Sequence, residues 1–98
     1  MEEQSFAQSM KTTKNKIYSC FHTRSRLLQR HHISMSLEEY DLLCQKFIDQ
    51  VYNNKFRGIT IITREESNNQ IIFKANFKDK LIKFVWCGNR KLITTVLK

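Results

Sequence analysis

Proline is absent from this chain of 98 residues, and glycine occurs twice, at Gly58 and Gly88, so the usual marks of loops and linkers are nearly missing. That excludes a Pro- or Gly-rich linker; no internal repeat or low-complexity tract appears, and the length supports one domain. No stretch approaches the ~20 apolar residues of a membrane-spanning helix. The N-terminus has no apolar run behind its charges, so a soluble cytoplasmic protein is expected, with delivery into a target cell by a dedicated secretion route left open. Cysteine is confined to Cys20, Cys44 and Cys87, an odd number at wide spacing that forms neither a disulfide framework nor a zinc motif. A reducing compartment follows, with Cys44 expected as a small buried hydrophobe. Paired carboxylates, a Gly-rich phosphate loop and a His/Cys ligand cluster are also missing. No metal and no cofactor are therefore expected, and magnesium- or nucleotide-dependent phosphoryl transfer is disfavoured.

Acid is scarce as well. Nine Asp and Glu stand against 17 Lys and Arg, a net charge of +8, and the natural partner of such an excess is a polyanion. Charge alone leaves RNA, DNA, an anionic membrane and an acidic protein open. The excess is uneven: residues 11–32 carry Lys11, Lys14, Lys16, Arg24, Arg26 and Arg30 with no acidic residue, whereas Glu38, Glu39 and Asp41 cluster just beyond. What is present in quantity is apolar volume, 41% of residues with 11% aromatic, enough for a packed core.

The hydrophobic period divides the chain. Residues 1–15 read as a flexible or weakly helical arm with Phe6 and Met10 as isolated apolar points, and residues 16–98 as the domain. Ile17, Phe21, Leu27 and Leu28 are compatible with a basic helix over residues 16–31. Ser36-Leu37-Glu38-Glu39 matches a capping box, and Leu37, Tyr40, Leu43, Cys44, Phe47, Ile48 and Val51 then recur at three- and four-residue steps, which predicts the core helix. It should end near Asn53-Asn54. Beyond Gly58 the period becomes two, with runs over residues 59–63, 70–77, 81–87 and 92–97 separated by short polar turns, Gly88-Asn89 among them. In the second run Ile71, Phe73, Ala75 and Phe77 share one face, and Ile72, Lys74 and Asn76 the other; in the third, Ile82, Phe84 and Trp86 oppose Leu81, Lys83, Val85 and Cys87. Short connections imply antiparallel neighbours. The expected fold is α+β, with N-terminal helices packed on one face of a four-stranded antiparallel sheet.

Arg30-His31-His32-Ile33-Ser34 before the capped helix, with Ile93-Thr94-Thr95-Val96-Leu97 on the last strand, resembles small RNase toxins of the barnase, colicin D and RelE-like superfamily. The likeness covers residues 24–98 and rests on short motifs. It implies an endoribonuclease that cleaves RNA without a metal from an open sheet face, whether the RNA is free or ribosome-bound, and that is held in check by an antitoxin or immunity protein. It places the family histidine on His31 and the last-strand hydroxyl on Thr95. Two positions depart from the pattern: His32 stands where glycine is usual, and Lys98 where proline is common.

Cleavage of that kind needs a base for the 2′-hydroxyl, an acid for the 5′-oxygen and donors for the charge that builds on phosphorus. His31 can move either proton, though a histidine at a helix end can equally be a cation offsetting the helix dipole. Thr95 could bond a phosphate oxygen, and Arg90, in the hairpin before the last strand, could clamp one; threonine is also a common strand residue, and turns collect exposed charges. Arg30, His32, Arg57, Lys74 and Lys83 are candidate RNA contacts, with a plain solvated surface as the other reading. Tyr52, Phe56 and Trp86 could stack on bases, although Trp86 alternates with Phe84 and is better read as core. The competing function is a non-catalytic basic protein, phage- or plasmid-encoded, that binds nucleic acid or inhibits a nucleic-acid enzyme; a third is an inactive relative kept for protein interaction.

Overall fold

The computed structural model describes residues 2–55, 58–65 and 69–98, with side chains described from Lys16 onward. The expected arm over residues 1–15 therefore lies outside the described side chains, as do Phe56 and Arg57. Two helices, α1 (Glu2–His31) and α2 (Leu37–Val51), precede four strands, β1 (Ile59–Glu65), β2 (Gln70–Phe77), β3 (Lys80–Cys87) and β4 (Leu92–Val96). The strands form one antiparallel sheet in the order β1-β2-β3-β4. This is the α+β architecture expected from the change of period.

Helix α2 starts where the capping box requires. The Glu39 amide donates to Ser36 Oγ at 3.0 Å, and the Glu39 carboxylate accepts from the Ser36 amide at 2.8 Å. That return bond holds the Glu39 carboxyl below the usual carboxylate range. The helix buries Tyr40, Leu43, Cys44 and Phe47. Phe47 stacks on Trp86 with ring centroids 4.2 Å apart and tilts against Phe73 at 4.7 Å, so one helical residue binds the two central strands. Trp86 is fully buried, as its alternation with Phe84 predicts. At the other end Gln50 accepts from the amides of Gly58 and Ile59 and donates to the Ile59 carbonyl, fixing where β1 begins.

Helix α1 packs differently from the expectation. Of Ile17, Phe21, Leu27 and Leu28 only Leu27 is buried, and the packed face is Ser19, Cys20, Thr23 and Leu27. The cause lies in what the helix covers. It lies along β4, the last strand of the sheet, whose free edge presents backbone carbonyls, and such an edge requires small residues and donors. Thr23 Oγ1 and Tyr40 Oη both donate to the Ile93 carbonyl, at 3.2 and 2.7 Å. The edge is thereby closed by side chains instead of by another strand.

Burial raises the Cys20 thiol, pushes Cys44 up to about 11 and raises the Tyr40 phenol. These groups stay protonated in the folded state while the unfolded chain sheds the same protons, so stability should fall as pH rises through and beyond the ordinary thiol range. Cys87 is only half-buried. With a thiol reagent at neutral pH, Cys87 should react first and Cys20 and Cys44 only on unfolding; equal rates for all three would contradict the packing described.

Candidate nucleic-acid interface

The face of the sheet turned away from the helices has a cationic centre. Lys74 of β2 and Lys83 of β3 are direct register partners, which places their Cβ atoms roughly 5 Å apart on one face. Like charges set opposite one another destabilise a strand pair, and among the described residues neither lysine has an ion pair or hydrogen bond to relieve the repulsion. Thr60 of β1 pairs with Lys74 on one side, and on the other the Leu97 amide donates to the Lys83 carbonyl at 2.9 Å. The next row along the sheet runs Ile72, Val85, Thr95. Thr95 therefore lies diagonally from Lys83, a separation of roughly 7–8 Å between backbone positions. No carboxylate occupies either row.

His31 meets the chain just past the end of β4. Its Nε2 lies 2.8 Å from the Leu97 carbonyl, the residue whose amide is bonded opposite Lys83. Because a carbonyl can only accept, Nε2 carries the hydrogen, and Nδ1 is the ring nitrogen left for proton exchange. Arg30 Nη1 donates to the Val96 carbonyl. The end of α1 and the end of β4 are thus tied through two consecutive carbonyls, and Thr95 precedes them directly. The carbonyl that His31 meets is two residues past Thr95, and no hydrogen bond joins the two side chains. Both are half-buried.

His32 is exposed and has φ 57, with its amide bonded to the Leu28 carbonyl at 3.0 Å. This is the left-handed position that ends a helix, and a side chain there is strained where glycine is not. His32→Gly should stabilise the domain by ~0.5–1 kcal/mol in urea unfolding; a loss of stability would show that the imidazole makes a contact that matters.

The remaining candidates separate. Arg90 is exposed in the turn that precedes β4, and His31 binds beyond the other end of that strand, so the two do not share a site. Arg57 lies outside the described residues. Tyr52 is not free to stack on a base: its hydroxyl accepts from Trp86 Nε1 at 3.3 Å and Lys91 Nζ sits 3.9 Å from its ring centroid. Thr94 falls at a bulge in the β3–β4 pairing and donates to the Val85 carbonyl, while Thr95 keeps the register partner. The bulge is what sets Thr95 on the face of Val85 with Ile93 and Val96 on the core side.

Two features of the site were not legible from residue type. One is the pairing of Lys74 with Lys83, which requires the register; the length of the turn at Lys78-Asp79 could have supplied it. The other is the role of the Leu97 and Val96 carbonyls as partners of His31 and Arg30, for which the side-chain pattern holds no signal. Among the described residues no group of three or more potential metal ligands comes together, and no helix is long and apolar enough to cross a membrane.

Compared with family models, curated proteins and solved structures, the chain finds no match.

Proposed function

We propose that this protein is a metal-independent endoribonuclease of the toxin type, acting by attack of the RNA 2′-hydroxyl on the adjacent phosphorus and neutralised by a partner protein. The observation that carries the reading is the lysine pair on the uncovered sheet face, unrelieved by any acid among the described residues, with His31 bonded to the Leu97 carbonyl just past β4. A phosphodiester between Lys74 and Lys83 relieves their mutual repulsion, so the site gains from an anion what it lacks without one. His31 Nδ1 takes the proton of the 2′-hydroxyl or returns one to the departing 5′-oxygen. The Thr95 hydroxyl donates to a non-bridging oxygen as charge develops there. The products are a 2′,3′-cyclic phosphate and a 5′-hydroxyl, and the resemblance of Arg30–Ser34 and Ile93–Leu97 to the RNase toxins supports the same chemistry.

The test is incubation of purified protein with total RNA and with translating ribosomes in EDTA, followed by end mapping. Cleavage leaving cyclic phosphate ends is the expected result, and intact RNA in both samples would refute turnover. One observation favours a second reading, an RNA-binding protein without turnover: Arg30 and His31 already serve as donors to Val96 and Leu97. In that case RNA affinity is measurable and salt-dependent while every RNA species survives.

A further inference from the structure

Helix α1 turns an apolar seam to solvent. Ile17, Phe21 and Leu28 are 64%, 70% and 55% exposed, and at the helical period they fall within about 40° of arc. Arg24 lies between Phe21 and Leu28, so the seam advances by four, three and four residues, the spacing at which one helix receives the knobs of another. The seam borders a shallow groove lined by Phe21, Arg24, Ser25, Leu28, Ser34 and Met35. Arg24 is exposed, and its Nε donates to the Met35 carbonyl at 2.6 Å, which ties the guanidinium to the wall of that groove.

We infer that this seam docks an acidic amphipathic helix of a separate protein, with apolar residues facing Ile17, Phe21 and Leu28 and a carboxylate facing Arg24. Charge decides the occupant. A second copy of this chain would bring a +8 molecule against a +8 molecule, and among the described seam residues, Ile17, Phe21, Arg24 and Leu28, it offers no acid to set against Arg24. An arginine in an otherwise apolar seam selects a partner that supplies the carboxylate, because a cation enclosed without one is costly. The bidentate fork of Arg24 suits that carboxylate. The seam lies on the helix, away from the lysine row, so the inference does not depend on RNA cleavage.

The test uses the full chain and stapled, monomeric helices of about three heptads, with leucine along the seam and glutamate, lysine or leucine at one central seam position. Binding is read by fluorescence anisotropy. The glutamate helix should bind at least about tenfold more tightly than the lysine helix, and Arg24→Glu should reverse that preference. Phe21→Ser, which leaves the charge unchanged, should weaken the glutamate helix by about tenfold or more while RNA affinity stays as in the wild type. Equal binding of all three helices, or no effect of Phe21→Ser, would overturn the inference. So would sedimentation that finds a dimer dissociated by Phe21→Ser, since a second copy would then be the occupant.

Discussion

Replacing His31 by glutamine should lower RNA cleavage by about 100-fold or more while the domain remains folded. The glutamine amide nitrogen lies about where Nε2 lies and can still donate to the Leu97 carbonyl, so the tie between α1 and β4 survives. It has no proton to exchange at neutral pH. His31→Ala removes both functions, and its unfolding should be easier by about 1 kcal/mol, the usual contribution of one hydrogen bond. Comparing the two separates chemistry from support. If glutamine retains full cleavage, the imidazole is only a strap, and the proton must be moved by another group.

The second large effect concerns the lysine pair, and it has two signs. Lys83→Glu places a carboxylate opposite Lys74 and converts a repulsion within the sheet into an attraction. Stability in urea should then rise by a few tenths of a kcal/mol, to ~1 at most, while RNA affinity falls on the order of tenfold. Lys74→Glu should behave likewise. Reversing both restores a like-charge pair, so the stability gain disappears while affinity falls further, on the order of a hundredfold, and the dependence of log Kd on log salt flattens. A gain of stability coupled to loss of binding is the mark of a surface kept unfavourable for a ligand. If Lys83→Glu leaves affinity unchanged, the pair belongs to an ordinary solvated face.

Much of the scaffold could be read from residue pattern because the signals were local. The capping box at Ser36 and Glu39, the stripe through Tyr40, Leu43, Cys44 and Phe47, and the alternation in β2 and β3 each depend on neighbours a few positions away. Helix α1 misled for the opposite reason. Ile17, Phe21 and Leu28 mark a seam left open, and apart from Leu27 the face the helix buries, Ser19, Cys20 and Thr23, is small because it meets a strand edge, which only the tertiary arrangement reveals. The site divides along the same line. Lys74, Lys83, Thr95 and His31 were recognisable by type, and the even spacing of the strands placed the two lysines opposite their large hydrophobic neighbours. Which residues meet was not recognisable. Thr95 reaches its face by way of a bulge at Thr94, and His31 is placed by the carbonyl of Leu97, a group every residue possesses. Arg90 and Tyr52 were recognisable by type in the same way. The first is at the far end of β4, and the second is already engaged by Trp86 and Lys91.

The most direct test of whether RNA binds the lysine row is a titration of the isotope-labelled protein with a short single-stranded RNA, in which backbone amide shifts are followed residue by residue. Shifts concentrated at Thr60, Ile72, Lys74, Lys83, Val85 and Thr95 are the expected result, with His31 affected at the same RNA concentration. Shifts confined to Ile17, Phe21 and Leu28 on α1, with the lysine row silent, would contradict it.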